Sequence, residues 1–138
     1  MAEVVRCVEY YYTEVPDRPG EGARVLNALK AEDVNLIALN GFPTSTRRAQ
    51  LDFVPSNERA FLAAARKAGI KLVGPKTAFL MQGDDRVGAV ADIVSKFGRA
   101  RLNVVAMNAI AAGKRRYGAI LWVKSRNVAK AAKILGIV

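Results

Sequence analysis

The sequence predicts an α+β protein made of two tandem βαββαβ units, with antiparallel sheets covered by helices on one face. Three observations carry that expectation: an internal repeat, an apolar pattern that changes from strand-like to helix-like within each repeat, and turn residues at matching places. Asp17-Arg18-Pro19-Gly20 returns as Asp85-Arg86-Val87-Gly88, an offset of 68 residues (85 − 17). At that offset Ala23 meets Ala91, Asn35 meets Asn103, Ala38 meets Ala106, Asn40 meets Asn108, and Arg47-Arg48 meet Arg115-Arg116. These make nine identities over the 32 positions 17–48. Apolar positions agree as well, including Val25 with Ile93, Leu29 with Phe97, and Val34 with Leu102. Chance rarely matches turn residues and core pattern together.

The first strand is read at Val8 to Val15, rich in Tyr and Val, and at Ala78 to Gln82 in the second copy. The turn that follows is Asp-Arg-x-Gly. There Asp17 and Asp85 suit a helix N-cap, and Gly20 and Gly88 supply the backbone freedom of a sharp strand-to-helix turn. Helical spacing then runs through Val25, Leu26 and Leu29, and through Val87, Val90, Ala91, Val94 and Phe97. Val34-Asn35-Leu36-Ile37 and Leu102-Asn103-Val104-Val105 open the second strands. Hairpin turns fall at Pro43-Thr44-Ser45-Thr46 and Ala112-Gly113-Lys114, ahead of third strands at Ala49 to Val54 and Tyr117 to Val123. Second helices run from about Asn57 to Ala68 and from about Asn127 to Leu135, stopped by Gly69 and Gly136. Ile70 to Val73 is a short fourth strand, whereas the second copy ends at Ile137-Val138 with its last strand nearly absent. This order is the split βαβ, ferredoxin-like plan. Domains are expected at 1–73 and 77–138, joined by the short link Gly74-Pro75-Lys76. A sheet with unpaired edges favours a homodimer.

Composition excludes much chemistry. The 138 residues contain no histidine and one cysteine, Cys7. The usual general base is therefore missing, a Ser-His or Cys-His pair cannot form, and no zinc site of known spacing exists. No carboxylates or lysines gather into a recognisable catalytic set. The expectation is a non-enzyme with no metal and no cofactor. No apolar run approaches the ~20 residues of a membrane helix. The start, MAEVVRCVEYYY, lacks a secretory pattern, and a lone cysteine fits a reducing compartment, so the chain reads as cytoplasmic. Cys7 is read as a buried strand residue. Charge is lopsided: residues 1–69 carry 9 basic and 9 acidic side chains, whereas 70–138 carry 13 and 3. The net charge of +10 thus lies in the second half, which suits a polyanionic partner or an acidic surface.

At its turns and second strands the chain resembles the ACT domain family, regulatory modules of amino-acid metabolic enzymes. The family pattern is an apolar strand, Asp-x-Pro-Gly, a helix, then apolar-Asn-apolar. Here it stands as Asp17-Arg18-Pro19-Gly20 with Val34-Asn35-Leu36, and as Asp85-Arg86-Val87-Gly88 with Leu102-Asn103-Val104. The likeness is to stand-alone tandem ACT-domain proteins. It implies a non-catalytic regulator that binds a free amino acid at domain interfaces, near the turn and the second strand, and acts on a target protein the sequence does not name. The ligand-binding residues it implies are Asp17, Arg18, Gly20, Asn35, Asp85, Arg86, Gly88 and Asn103. Physical chemistry agrees: N–H groups at a helix N-terminus attract a carboxylate, Asn offers donor and acceptor, and Arg offers a charged clamp.

A second reading comes from another class. Single-stranded RNA-binding modules share the βαββαβ plan and stack bases on aromatic residues of the first and third strands. Phe79 and Tyr117-Gly118-Ala119-Ile120-Leu121-Trp122 partly echo that pattern in the basic copy. Ala119 stands where a stacking aromatic is expected, and the twice-occurring Asp-Arg-x-Gly has no part in this reading.

Overall fold

Alternating apolar residues make the first thirteen described strand positions extended: β1 runs Val4–Pro16, with Val8, Tyr11, Thr13 and Val15 buried. The computed structural model describes residues 3–137. In order there follow α1 (Glu21–Ala31), β2 (Leu36–Ser45), β3 (Arg48–Pro55), α2 (Glu58–Ala68), β4 (Val73–Asp84), α3 (Ala89–Arg99), β5 (Ala106–Ala111), β6 (Arg116–Trp122) and α4 (Val128–Ile134). Among the described residues the architecture is α+β, six antiparallel-sheet strands and four α-helices with the βαββαβ pattern roughly repeated.

The chain divides into two compact units, one of Tyr10–Lys76 and one of the described residues up to Glu9 together with those from Thr77 onward. In the first unit the strands lie in the order β2-β3-β1-β4, and in the second β1-β4-β6-β5. Each unit thus places its opening strand between its third strand and a fourth. The expected division at 1–73 and 77–138 differs at the N-terminal end. The start of β1, Val4 to Glu9, occupies the fourth-strand place of the second unit.

The core of the Tyr10–Lys76 unit joins Tyr11, Val15 and Phe53 of the sheet to Val25, Leu29, Phe61 and Ala64 of α1 and α2. Tyr11 faces Phe53 across the β1–β3 ladder, and Phe61 lies 5.6 and 5.5 Å from their two ring centroids. Asn57 caps α2, its side-chain oxygen accepting from the Ala60 N–H at 3.0 Å, and Gly69 ends it with φ 70°. In the second unit the cross-strand pairs Phe79–Leu121, Met81–Ala119 and Gly83–Tyr117 face Ile93 and Phe97 of α3 and Ala131 of α4. Burial also reaches the alternate positions: Ala78, Leu80, Ile120 and Trp122 are buried.

The repeat is written into the backbone. The helices α1 and α3 begin and end 68 residues apart (89 − 21 and 99 − 31). Asp33 and Arg101, at matching positions, both take positive φ, 58° and 56°, as do Arg47 and Arg115 at 63° and 57°. The Asp17 N–H donates to the Arg47 carbonyl at 2.8 Å, and the Asp85 N–H donates to Arg115 at 2.8 Å.

Several expectations are corrected. Residues 70–73, the link 74–76 and the strand 78–82 are not three pieces: β4 is continuous from Val73 to Asp84. Val34-Asn35 and Leu102 to Val105 precede the second strands, which begin at Leu36 and Ala106. Val87 lies outside α3 and is fully exposed, so its fit to the helical spacing was accidental. Cys7 is exposed rather than buried, because the alternation of β1 around it buries Val8.

Candidate functional site

Asp17 and Asp85 do not cap the helices. The N-cap residues are Gly20 and Gly88, at φ 93° and 82°, a left-handed conformation that glycine adopts without a Cβ clash. Neither cap offers a side-chain acceptor to the first helical turn. The first helical N–H of α1 reaches the Arg18 carbonyl at 3.4 Å, and that of α3 reaches Arg86 at 3.3 Å. Such a helix start carries partial positive charge and suits an anion.

At the second turn this helix start opens on a cavity of about 410 Å³ lined by Asp85, Arg86, Gly88, Val90, Ile110 and Tyr117, among others. Edge strand β5 forms one wall, with Ile110 72% exposed. The Arg86 Nη2 donates to Asp92 at 2.7 Å, and Asp92 keeps the guanidinium pKa above its ordinary value. The Tyr117 hydroxyl donates to the Glu3 carboxylate. Burial first, and that hydrogen bond second, push the phenol up to about 12. Gly83 makes the meeting possible, since a Cβ there would stand 3.0 Å from Tyr117 Cε1 and 3.2 Å from Glu3 Cγ.

The first turn opens on a smaller cavity, about 310 Å³, lined by Asp17, Arg18, Glu21, Gly22, Phe42 and Leu51 with others. Two of its charges pair with each other and with Arg24: Glu21 accepts from Arg24 at 3.1 Å and from Arg18 at 3.2 Å. Those two guanidiniums, Arg24 first, hold the Glu21 carboxyl below the usual range.

The expected site residues are therefore not all brought together. Asp85, Arg86 and Gly88 share one cavity, and Asp17 and Arg18 share another beside the Gly20 cap. Asn35 lies past the far end of α1, about 16 Å of helix away. It lines a separate hollow of about 430 Å³ with Leu26, Lys30 and Asp33. Its carbonyl accepts from the Ser56 N–H at 3.1 Å and from the Ser56 hydroxyl at 2.8 Å. Asn103 is exposed in the segment between α3 and β5 and is not among the residues lining the Gly88 cavity. Sequence reasoning missed Glu3 and the cavity role of Tyr117 and Ile110. Tyr117 had a usable signal, the start of the third strand opposite the Asp-Arg-x-Gly turn; Glu3 had none.

The base-stacking reading loses its platform. Phe79 is fully buried, and Tyr117 and Trp122 are 6% and 7% exposed. Rings so buried leave a base little surface to stack on. Among the described residues, no helix is long and apolar enough to cross a membrane.

No protein-family profile and no curated protein sequence matches the chain. Solved structures do. A protein from Bacteroides thetaiotaomicron superposes with TM-score 0.81 at 14% identity, over 96% of this chain and 88% of that one. The ligand-free regulatory subunit of aspartate kinase from Thermus thermophilus gives TM-score 0.64 at 15% identity, over 97% and 94%. Its counterpart from Thermus flavus gives 0.59 at 15%, over 99% and 95%. At these identities the likeness is one of fold, and the fold of this chain is ACT-like.

Proposed function

We propose that the chain is a non-catalytic, tandem ACT-type sensor whose ligand is a free amino acid bound at the Gly88 turn. The observation that carries this reading is the start of α3: a helix of 11 residues with no side-chain cap, opening on a cavity flanked by Arg86. An α-carboxylate placed there would take the free first-turn N–H groups and the guanidinium together. The apolar walls would receive a side chain. Fold neighbours named as regulatory subunits of aspartate kinase support a regulatory rather than catalytic part. The ligand would act through a target protein in the cytoplasm, the compartment that a single exposed thiol suits.

A homodimer belongs to this reading. Strand β5 is exposed at every position and ends its unit's strand order, so its outer N–H and C=O groups are open to a second copy. Because Ala109, Ile110 and Ala111 also line the Gly88 cavity, a partner strand there would narrow its mouth.

The test is a thermal-shift screen against the twenty amino acids at two salt concentrations. A ligand at 100 times its Kd stabilises by about 2.7 kcal/mol, a shift of several degrees. A selective shift, little affected by salt and lost in Arg86→Gln, supports the sensor. Silence with all twenty overturns it.

A further inference from the structure

We infer that one end of the second unit is a docking surface for the phosphate backbone of a nucleic-acid duplex, formed by Lys96, Arg99, Arg101, Lys124, Arg126 and Lys130. This goes beyond the sensor reading and does not rest on it. Lys96 and Arg99 lie in the last turn of α3, and Arg101 follows that helix. The Val105 N–H then donates to the Trp122 carbonyl at 2.8 Å, and Ala106 pairs with Trp122. The chain leaving α3 and the chain leaving β6 therefore meet at one end of the unit. Lys124 and Arg126 come directly after β6, Lys130 lies in the first turn of α4, and α4 packs against α3. All six cations are exposed, and none forms an ion pair with another described residue.

The acids stand elsewhere. Residues 70–138 hold three, Asp84, Asp85 and Asp92, at the end of β4 and the start of α3. Asp84 pairs with Arg116, and Asp92 with Arg86. Glu3 is at that end too, bonded to Tyr117, while Glu9 lies on β1, which β4 separates from β6. Helix stability accounts for only part of the basic end. Lys96 and Arg99 complement the C-terminus of α3, but Arg126 and Lys130 stand at the start of α4, where cations are unfavourable and no acid occupies the first turn. Nor does the fold require the charge. At the 68-residue offset Lys96, Arg99 and Arg101 match Ala28, Ala31 and Asp33, and Arg101 and Asp33 share a positive φ of 56° and 58°. Such a surface fits phosphates better than protein or lipid. Protein interfaces have cores depleted of charge, and helices lying on membranes insert apolar residues. Segments 96–101 and 124–133 expose no large apolar side chain. A duplex fits better than a single strand, because the one aromatic residue of these segments, Phe97, is buried and bases have nothing to stack on.

Fluorescence anisotropy of labelled duplexes of about 20 base pairs, titrated with the full chain at several salt concentrations, tests the inference. DNA and RNA duplexes of mixed sequence should bind alike. The logarithm of the binding constant should fall linearly with log[salt] at a slope between about −3.5 and −5.5, as about four to six neutralised phosphates require. Arg101→Asp, which installs the residue the first copy holds at the same φ, should weaken binding about fivefold or more and reduce the slope by about one. Arg126→Gln combined with Lys130→Gln should reduce it by about two, and covers the case in which Arg101→Asp fails to fold. Lys114→Gln combined with Arg115→Gln, on the hairpin beside Asp85 at the other end, should leave affinity within about twofold. Absence of duplex binding at low salt overturns the surface, as does a loss in the hairpin variant equal to that at the basic end. Poly-L-glutamate or phosphatidylserine vesicles that compete as well as the duplex, at equal charge, would overturn the duplex in favour of an acidic protein or a membrane. Tighter binding of a single strand of the same sequence would overturn the duplex in favour of unpaired nucleic acid.

Discussion

Gln50 Nε2 donates a hydrogen bond to Asp52 Oδ1 at 2.8 Å, between two side chains on one face of β3. Asp52 is only 6% exposed. Burial raises its carboxyl pKa above the usual carboxylate range, with the Gln50 hydrogen bond and the charge of Lys76 pulling the other way. The folded chain therefore holds the Asp52 proton more tightly than the unfolded chain does. That contribution to stability is complete below the unfolded carboxylate range and is lost as pH rises through the raised value.

Asp52→Asn removes the charge and keeps an oxygen for Gln50. The variant should melt higher than the wild type at neutral pH, with the gap closing toward about pH 3, where Asp52 is protonated in both states. A gap that is absent, or that widens in acid, would show that the partners outweigh burial. Melting curves at four or five pH values give the answer.

Tyr117 gives a spectroscopic prediction. It should ionise well above the ordinary phenol value, near pH 12. In an ultraviolet absorbance titration a step near pH 12 should vanish in Tyr117→Phe. Here too the folded pKa is raised, so the contribution is intact below the ordinary phenol value of about 10 and lost on the way to 12. If the step that disappears instead lies near 10, Tyr117 is solvated and not held by Glu3.

Gly98 sits in the last turn of α3, where an added Cβ meets nothing within 4 Å. Replacing glycine by alanine at such a helical position stabilises by about 0.8–1 kcal/mol. Gly98→Ala should therefore raise the melting temperature by a few degrees without touching ligand binding, since it lies at the opposite end of α3 from the Gly88 cavity. A lower melting temperature would mean that the last turn of α3 is not helical in solution.

Gly74 is the opposite case. Its φ is 139°, and a Cβ would stand 2.9 Å from the Tyr10 carbonyl oxygen and from Tyr11 Cδ2. Gly74→Ala combines backbone strain with a clash against main chain, and should cost more than about 1 kcal/mol. Chemical denaturation of the two glycine variants side by side should move the midpoint in opposite directions.

What sequence reasoning captured and missed follows a physical line. Local chemistry was legible. The Asp-Arg-x-Gly turns, the α1 and α3 helices at one offset and the glycine stop at Gly69 depend on residues a few positions apart. Caps were misassigned because Asp17 and Asp85 look like N-caps from spacing alone, while the left-handed Gly20 and Gly88 place the helix start three residues later. Tertiary choices were illegible. Nothing near Val4 to Glu9 says that these residues will lie beside β4 rather than end a strand early. The same holds for the site: Asp85, Arg86 and Gly88 were legible through their motif, while the Glu3 partner of Tyr117 is set by strand pairing. Asn35 and Asn103 repeat faithfully in the sequence, yet the length of a helix separates Asn35 from the turn it was expected to serve.

The placement of Val4 to Glu9 beside the strand that begins the second unit bears on how the chain is made. Glu3 and Tyr117 are 114 residues apart in sequence and belong to one unit. On a ribosome, β4 is made after β1 and before β6, so one of its edges has a partner at hand while the other does not. Closure across a long stretch of chain is slow compared with helix formation. Newly made chains should therefore pass through a stage with the β6 edge of β4 exposed, and at high concentration that edge is open to the same edge of a neighbouring chain.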